Sequence, residues 1–281
     1  MKAVIPAAGF GTRFLPLTKA QPKEMLPVVN KPVIQWVVEE AVDAGITDIA
    51  IITGKHKQAI ENHFRPSPAL EDALEKAGKL KGLEEIRKVN EIANIEFIVQ
   101  KEQKGLGHAI LCAEEFVGNS SFAVLLGDTI CAGEPNCTKG LVDIFEQRKS
   151  SIFAVEKIKP EETKRYGVVS GKEISEGLML VDKLVEKPEP EASPSLLGIL
   201  GRYVFTPDIF SFQRTINAGD GGEIQLTDAM QALATESRIY SWTFGGRRYD
   251  IGTMKDWFQS HLKLSANSEF SPFLNEVVNK L

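Results

Sequence analysis

Residues 1–27 of the chain read Met1-Lys-Ala-Val-Ile-Pro-Ala-Ala-Gly-Phe-Gly-Thr-Arg-Phe-Leu-Pro-Leu-Thr-Lys-Ala-Gln-Pro-Lys-Glu-Met-Leu-Pro27. A short apolar strand at 3–5 runs directly into a turn of small residues at 7–12, and the cations Arg13 and Lys23 follow. Small residues let backbone N–H groups approach a phosphate closely, and a nearby cation neutralises its charge. Because open α/β sheets bind ligands at the carboxyl ends of their strands, this stretch predicts a binding loop for a nucleoside triphosphate.

Two common phosphate motifs do not fit this loop. It has no G-x-x-x-x-G-K-[ST] pattern, and the dinucleotide fingerprint G-x-G-x-x-G fails because Phe14 stands in place of the third glycine. An ordinary glycine turn between a strand and a helix is the alternative for Gly9 and Gly11. Prolines in the following residues argue against a helix that starts at Gly11, so we expect a long loop.

The composition is that of a globular protein. The chain has 281 residues, of which 43% are apolar and 25% charged, and its net charge is −5. These values predict a single domain over 1–281 that binds neither nucleic acid nor a membrane surface. The sequence shows no apolar run long enough to span a membrane and no hydrophobic leader at its N-terminus.

The three cysteines, Cys112, Cys131 and Cys137, are an odd number without a C-x-x-C pair. Unpaired cysteines favour a reducing environment, and we therefore expect a cytoplasmic protein. A metal site formed by Cys131 and Cys137 is possible in principle, although their spacing fits no common ligand pattern.

Strand-like and helix-like segments alternate along the first 150 residues. The expected strands are 3–5, 48–53, 95–99 and 122–126, and the expected helices are 33–44, 57–64, 108–116 and 138–149. This rhythm predicts an α/β fold with a Rossmann-like, mostly parallel mixed sheet flanked by helices. Residues 1–150 form the nucleotide-binding half, and 66–92 form a charged helical insertion whose alternative role is a lid or a subunit contact.

The second half, 151–265, is richer in strands and is expected to be the substrate-binding half of the domain. Its expected strands are 152–155, 168–170, 179–185, 198–205 and 239–243, and its expected helices are 227–235 and 254–262.

Four further segments carry residues suited to chemistry. Gln100, followed by Gly105, can read the amide edge of a base, although a turn before a helix explains these residues equally well. Asp128 follows an apolar strand and is either a metal ligand or a turn aspartate. Glu186 and Lys187 could hold a sugar and its phosphate, or simply end a solvated strand.

Asp250 is the second aspartate at the end of a strand. Together with Asp128 it could hold one Mg²⁺ and leave positions free for phosphate oxygens and water. No G-x-S-x-G motif and no metal-ligand histidine spacing is present, and His56 and His63 are expected on a solvated helix face. The chemistry therefore points to positioning and charge neutralisation, as in phosphoryl transfer, and not to covalent catalysis.

Taken together, the segments resemble the sugar-1-phosphate nucleotidylyltransferases, and among these the bacterial-type UTP–glucose-1-phosphate uridylyltransferases. The similarity runs in order from residue 3 to about 262. It is carried by Ala7-Ala-Gly-Phe-Gly-Thr-Arg13, Lys23-Glu-Met-Leu-Pro-Val-Val-Asn-Lys-Pro32, Lys104-Gly-Leu-Gly-His-Ala109, Tyr166-Gly-Val-Val169, Val185-Glu-Lys-Pro188, Gly222-Glu-Ile-Gln-Leu-Thr-Asp228 and Arg248-Tyr-Asp-Ile-Gly252.

The resemblance implies the glycosyltransferase-A-type nucleotidyltransferase fold and a Mg²⁺-dependent reaction of UTP with glucose 1-phosphate. Enzymes of this type are often dimers or tetramers, so the resemblance also implies a homo-oligomer. The implied catalytic residues are Arg13, Lys23 and Lys187. The implied nucleotide contacts are Ala8, Gly9, Gly11, Glu24, Gln100 and Gly105. The implied sugar-phosphate contacts are Gly167, Glu186 and Lys187, and the implied metal ligands are Asp128 and Asp250.

One departure from the family pattern leaves the base open. Many uridylyltransferases of this type carry Pro-Asp or Ala-Asp-Asp where this chain has Gly127-Asp128, a pair more typical of thymidylyltransferases. Thymidylyl transfer from dTTP is therefore the close alternative. A protein that binds nucleotide sugars without turnover is a further alternative, although the chain keeps every catalytic cation and both metal carboxylates.

Overall fold

The computed structural model describes residues 1–216, 219 and 222–280. The strands are β1 (Lys2–Pro6), β2 (Pro27–Val28), β3 (Lys31–Pro32), β4 (Asp48–Thr53), β5 (Asn94–Val99), β6 (Phe122–Leu125), β7 (Thr129–Ala132), β8 (Ile152–Lys157), β9 (Gly167–Ser175), β10 (Leu178–Glu186), β11 (Leu197–Phe205), β12 (Tyr240–Thr243) and β13 (Arg247–Asp250). The helices are α1 (Val33–Asp43), α2 (Gln58–Phe64), α3 (Pro68–Lys76), α4 (Leu80–Asn90), α5 (Gly105–Leu111), α6 (Glu114–Val117), α7 (Cys137–Arg148), α8 (Ile209–Thr215), α9 (Leu226–Glu236), α10 (Met254–Ser265) and α11 (Ser271–Val278).

A nine-stranded sheet runs through both halves in the order β5-β4-β1-β6-β11-β8-β12-β10-β9. The first four strands in this order pair in parallel, so their carboxyl ends meet at one edge. Helices cover both faces, and apolar side chains from alternate strand positions form a separate core on each side. The α/β fold predicted from the sequence is confirmed.

Parallel pairing is less extensive than the sequence analysis expects. It is confined to β5-β4-β1-β6 and to the β8–β12 pair, whereas β11 pairs antiparallel with both β6 and β8. The long hairpin of β9 and β10 adds further antiparallel pairs. Near-continuous apolar runs are typical of strands buried on both faces, and such runs do not reveal the direction of a neighbouring strand.

A small ladder beside the main sheet lies outside the sequence expectations. Strand β7 follows Asp128 and pairs antiparallel with β13, with Asp250 opposite Thr129. Each strand has four residues, too few to show a periodic pattern. The N–H of Ile251 also donates to the carbonyl oxygen of Asp128 at 2.9 Å, so the ladder brings the backbone segments that carry the two predicted metal ligands together.

Residues 66–92 hold α3 and α4, which pack against each other. No helix in the described part of the chain is both long and apolar enough to cross a membrane.

The connection between β6 and β7 is held by a buried ion pair. Arg202, on β11, is fully buried, and its Nε and Nη2 donate to the Oε1 and Oε2 of Glu40 at 3.0 and 2.7 Å. The same guanidinium donates to the carbonyl oxygens of Leu126 at 3.3 Å and Thr129 at 2.6 Å. These two carbonyls flank Asp128, so Arg202 fixes the backbone on both sides of a predicted metal ligand.

Gly201 makes this geometry possible. The pairing of β11 with β8 is irregular between Ile199 and Tyr203, and Gly201 there adopts a φ of +98°. A side chain at Gly201 would lie 2.9 Å from a methyl carbon of Leu126. Glycine is therefore required both by the backbone conformation and by the close packing.

We expect the substitution Arg202→Met to lower the free energy of unfolding by about 3–5 kcal/mol, because it leaves the Glu40 carboxylate buried without its partner. Urea unfolding followed by circular dichroism measures this change. The double variant Arg202→Met, Glu40→Leu should recover part of the loss. Lys139→Ala, which removes an exposed ion pair with Asp143, is the control and should change stability by less than about 0.5 kcal/mol. Equal effects of Arg202→Met and Lys139→Ala on the free energy of unfolding would contradict the role given to Arg202.

Candidate active site

The loop after β1 is shaped by its small residues. The N–H of Ala7 donates to the carbonyl of Ile52 at 2.8 Å, which extends the parallel pairing just past the strand. Gly11 has a φ of +67°, and the hydroxyl of Thr18 donates to its carbonyl oxygen at 2.8 Å. The following residues form three short 3₁₀ turns and not a helix, as the prolines predict.

A cavity of about 440 Å³ lies above the carboxyl ends of β1 and β6. The six residues assigned to the nucleotide by the resemblance all line this first cavity, and so do Lys23 and Asp128. They are Ala8, Gly9, Gly11, Glu24, Gln100 and Gly105. The structure therefore brings the amino-terminal loop together with the distant segment 100–105.

Glu24 forms a buried ion pair with Lys57, a residue that the sequence analysis did not assign to the site. Lys57 Nζ donates to Glu24 Oε2 at 2.7 Å, and both side chains are buried. Burial lowers the pKa of Lys57, although the charge of Glu24 opposes this change. The segment around Lys57 carries no recognisable motif, so only the three-dimensional contact reveals its role.

A second cavity of about 580 Å³ adjoins the first. It contains the remaining predicted residues from both chain halves, which are Arg13, Gly167, Glu186, Lys187 and Asp250. Asp128 lines both cavities, together with Leu106 and Leu126. Asp128 thus stands where ligands in the two cavities would meet.

Each predicted metal carboxylate is paired with a protein cation. Lys23 Nζ donates to Asp128 Oδ2 at 2.6 Å. Burial opposes ionisation of Asp128, but the nearby ammonium of Lys23 outweighs it and lowers the pKa of the carboxyl group. Burial likewise opposes the charge of Lys23, yet Asp128 and Glu24 raise its pKa. Both groups are therefore charged at neutral pH.

Asp250 is held by two groups that the sequence analysis did not assign. Arg165 Nη2 donates to Asp250 Oδ2 at 2.9 Å and to Asp256 Oδ2 at 2.7 Å, and the hydroxyl of Tyr166 donates to the same Asp250 oxygen at 2.8 Å. Burial and the charge of Asp128 raise the pKa of Asp250. Asp250 therefore lies within the electrostatic influence of Asp128.

The end of β10 presents Glu186 and Lys187 to the second cavity. The hydroxyl of Thr227 donates to Glu186 Oε2 at 2.6 Å, and Lys187 Nζ lies 3.0 Å from Glu186 Oε1. Lys187 has a φ of +46°, an uncommon value for a residue with a side chain. A side chain at Gly167 would lie 2.9 Å from Ile199 and 3.2 Å from Glu186 Oε2, which explains the glycine there.

The cysteine pair considered for a metal is close in space. One ligand atom each from Cys131, Cys137 and Glu40 lies within 4.8 Å of the others. Both oxygens of Glu40 already accept hydrogen bonds, from Arg202 and from the hydroxyl of Thr138. The carboxylate is therefore committed to the ion pair with Arg202, which argues against a metal at this position.

Two histidine expectations need correction. His63 does lie on α2 but is only partly exposed, because its Nε2 lies 3.0 Å from Gln35 Oε1. His56 precedes that helix and stacks on Phe10, with ring centroids 4.9 Å apart. His108 contacts Gln100 at the wall of the first cavity.

Comparison with known proteins identifies the family of the chain. The sequence model described as Nucleotidyl transferase matches residues 2–267. The chain belongs to the nucleotidyl transferase family. The enzyme named UTP–glucose-1-phosphate uridylyltransferase of Bacillus subtilis (strain 168) is 49% identical to it over 284 residues, which cover 99% of this chain and 97% of the relative. The resemblance drawn from the sequence is confirmed, and the protein is a nucleotidyltransferase.

Solved structures of such nucleotidyltransferases share its fold. A UDP-glucose pyrophosphorylase complexed with UDP-glucose superposes with a TM-score of 0.86 at 40% identity and covers 95% of this chain and 99% of that one. The UTP-bound UGPase from Acinetobacter baumannii superposes with a TM-score of 0.89 at 33% identity, with 99% and 98% covered.

The unusual glycine of this nucleotidyltransferase has a packing explanation. The N–H of Gly127 donates to the carbonyl of Pro6 at 3.2 Å, and a side chain at Gly127 would lie 2.9 Å from that oxygen. Glycine here permits β1 and the end of β6 to approach closely. The close approach to Pro6 therefore supplies a packing explanation for Gly127.

We expect Gly127→Ala to lower the free energy of unfolding by about 1–3 kcal/mol, because the new methyl group must displace backbone. Gly245→Ala is the matched control, since nothing lies within 4 Å of the added carbon and Gly245 is exposed. Urea unfolding of both variants measures the difference. A neutral effect of Gly127→Ala would show that the contact with Pro6 does not constrain the residue.

Proposed function

We propose that the protein transfers a uridylyl group from UTP to glucose 1-phosphate and releases pyrophosphate. The observation that carries this proposal is the position of Asp128 between two adjoining cavities, one lined by the predicted nucleotide residues and the other by the predicted sugar-phosphate residues. The names of the relatives and of the nucleotide-bound neighbours support the same pair of substrates.

The first cavity suits a nucleotide. Its floor is the small-residue loop of Ala8, Gly9 and Gly11, whose backbone can approach phosphates closely. Gln100 and Gly105 also line this cavity, where they would read the base. Glu24 would stand beside the nucleotide with its carboxylate fixed by Lys57.

The second cavity suits a sugar phosphate. Glu186 would accept hydrogen bonds from sugar hydroxyls with its carboxylate oriented by Thr227, and Gly167 leaves room for the sugar ring. Lys187 would hold the phosphate, and Arg13, which lines the same cavity, would neutralise the departing pyrophosphate.

The reaction needs two polyanions brought together in line. A phosphate oxygen of glucose 1-phosphate attacks the α-phosphorus of UTP, the new P–O bond forms, and the bond to pyrophosphate breaks. Arg13, Lys23 and Lys187 would offset the repulsion between the reactants. The sugar phosphate is already ionised near neutral pH, so the chemistry demands no general base. Orientation alone can lower such a barrier by roughly 7–11 kcal/mol in favourable cases.

The donor set fits Mg²⁺. Two carboxylates on adjacent strands offer the oxygen ligands that this ion prefers, and their number leaves room for phosphate oxygens and water. Asp128 and Asp250 would hold the ion, which supplies positive charge at the phosphates. In the protein alone, Lys23 pairs with Asp128 and Arg165 pairs with Asp250.

Thymidylyl transfer is the second candidate for the same site. The sequence argument for it was Gly127, whose packing against Pro6 supplies a different explanation. Uridylyl transfer is therefore preferred, although a methyl-sized difference in the base is worth only about 1–3 kcal/mol of discrimination. A cytoplasmic homo-oligomer of single-domain subunits stays a prediction of the sequence.

Pyrophosphate release with Mg²⁺ and glucose 1-phosphate tests the proposal, with UTP and dTTP compared side by side. We expect the initial rate with UTP to be the higher one. A preference for dTTP would move the chain to thymidylyl transfer. Nucleotide binding without release from either would identify a non-catalytic binding protein.

We expect Asp128→Asn to lower turnover by about 10²-fold or more, because the substitution removes the carboxylate shared by the two cavities. Circular dichroism and thermal unfolding should show that the variant is folded. Asp143→Asn, on the outer face of α7, is the matched control and should keep wild-type turnover. Near-normal activity of Asp128→Asn would remove this residue from the site.

We expect Glu186→Gln to raise KM for glucose 1-phosphate about 10–100-fold, because a charged acceptor for sugar hydroxyls becomes neutral. KM for UTP should change far less, since Glu186 lies in the second cavity only. Steady-state kinetics with each substrate varied in turn provides both values. Equal increases for the two substrates would contradict the assignment of Glu186 to the sugar.

A further inference from the structure

Gln100 is a buried residue whose amide is held in one orientation. It is only 4% exposed, and its Nε2 donates to the carbonyl oxygen of Gly105 at 3.2 Å. Nε2 also lies 2.9 Å from His108 Nδ1. A carbonyl oxygen accepts hydrogen bonds but cannot donate, so Nε2 and not Oε1 must face Gly105. The second hydrogen of Nε2 then points to His108.

His108 must accept that hydrogen bond. Its Nδ1 therefore carries a lone pair, and in the neutral ring the proton lies on Nε2. Burial lowers the pKa of His108, and the neighbouring charge of Lys104 acts in the same direction. The neutral ring is thus the form present at neutral pH. Because both hydrogens of the Gln100 amide are committed to protein acceptors, Oε1 is the polar atom left for a ligand in the first cavity.

The start of α5 holds His108 in place. The N–H of Gly107 donates to the carbonyl of Ile224 at 2.9 Å, and the N–H of Ile224 donates to the carbonyl of Lys104 at 2.8 Å. A side chain at Gly105 would lie 2.8 Å from Glu223 Cβ, and one at Gly107 would lie 2.8 Å from the Ile224 oxygen. The two glycines therefore let residues 223–224 pack tightly against the turn that carries His108.

We propose that His108 is a positioning residue that turns the Gln100 Oε1 toward the nucleotide and thereby selects bases with an N–H at ring position 3. Uracil and thymine carry this donor, which Oε1 accepts. Cytosine carries a lone pair at the same position, which Oε1 repels. A polar group aimed at a donor discriminates strongly against a base that lacks it. This inference rests on the proposed placement of the base beside Gln100.

The test compares binding of UDP and CDP by isothermal titration calorimetry, in the presence of Mg²⁺ and without sugar phosphate. Wild-type protein should prefer UDP. In His108→Phe the ring shape is kept but the acceptor is lost, and we expect the ratio of UDP to CDP affinity to fall about tenfold, the effect of one hydrogen bond. The fall should come from weaker UDP binding. His108→Gln, which offers a carbonyl acceptor, should restore most of the preference.

His63→Phe is the matched control, because His63 also contacts a glutamine but lies away from the cavity. It should leave the affinity ratio unchanged. An unchanged ratio in His108→Phe, or equal weakening of UDP and CDP, would overturn the role of His108. Wild-type protein that does not distinguish UDP from CDP would overturn it as well. Loss of the preference in His108→Phe, combined with no pyrophosphate release by wild-type protein, would support His108 while refuting the proposed reaction.

Discussion

The structure depends on one buried ion pair, between Arg202 and Glu40. A guanidinium without solvent contact is tolerated only when its donors are satisfied, and here a carboxylate and backbone carbonyls satisfy them. The carbonyls of Leu126 and Thr129 are among these acceptors, so the charge that stabilises the core also fixes the backbone around Asp128. A site that acts by positioning its reactants needs a rigid backbone around Asp128, because a small displacement of such a residue can lower the reaction rate strongly.

The charges of the site are compensated within the protein. Lys23 pairs with Asp128, Arg165 pairs with Asp250, and Lys57 pairs with the buried Glu24. Each of these carboxylates thus has a cationic partner in a partly dry cleft, where an isolated charge would be costly. Phosphates bound in the cleft would meet cations that now pair with carboxylates. Asp128 and Asp250 are the two carboxylates that would hold a Mg²⁺ ion, which would supply further positive charge.

The sequence predicts the strands and loops that follow from local patterns of apolar residues, glycines and prolines. It misses the features that depend on contacts between distant residues. The parallel strands of the first half and the long loop after β1 follow from apolar runs, glycines and prolines. The site residues predicted from motifs all line one of the two cavities. The motifs give no role to Tyr166 and Thr227 and do not include Lys57, because the contacts of these residues with Asp250, Glu186 and Glu24 join distant parts of the chain. The short ladder of β7 and β13 was missed because four residues show no period.

The change of strand direction at β6 and β11 explains why one aspartate serves both cavities. Strands β1 and β6 are parallel, so the loops that follow them lie at the same edge of the sheet, where open α/β sheets commonly bind ligands. Strand β11 runs antiparallel beside β6. In the order of the sheet, it stands between β6 and the strands of the half that carries Glu186 and Lys187. Asp128 lies in the short connection after β6, next to the boundary between the parallel and the antiparallel pairing. A continuous sheet with a switch in direction thus places one carboxylate between the two cavities.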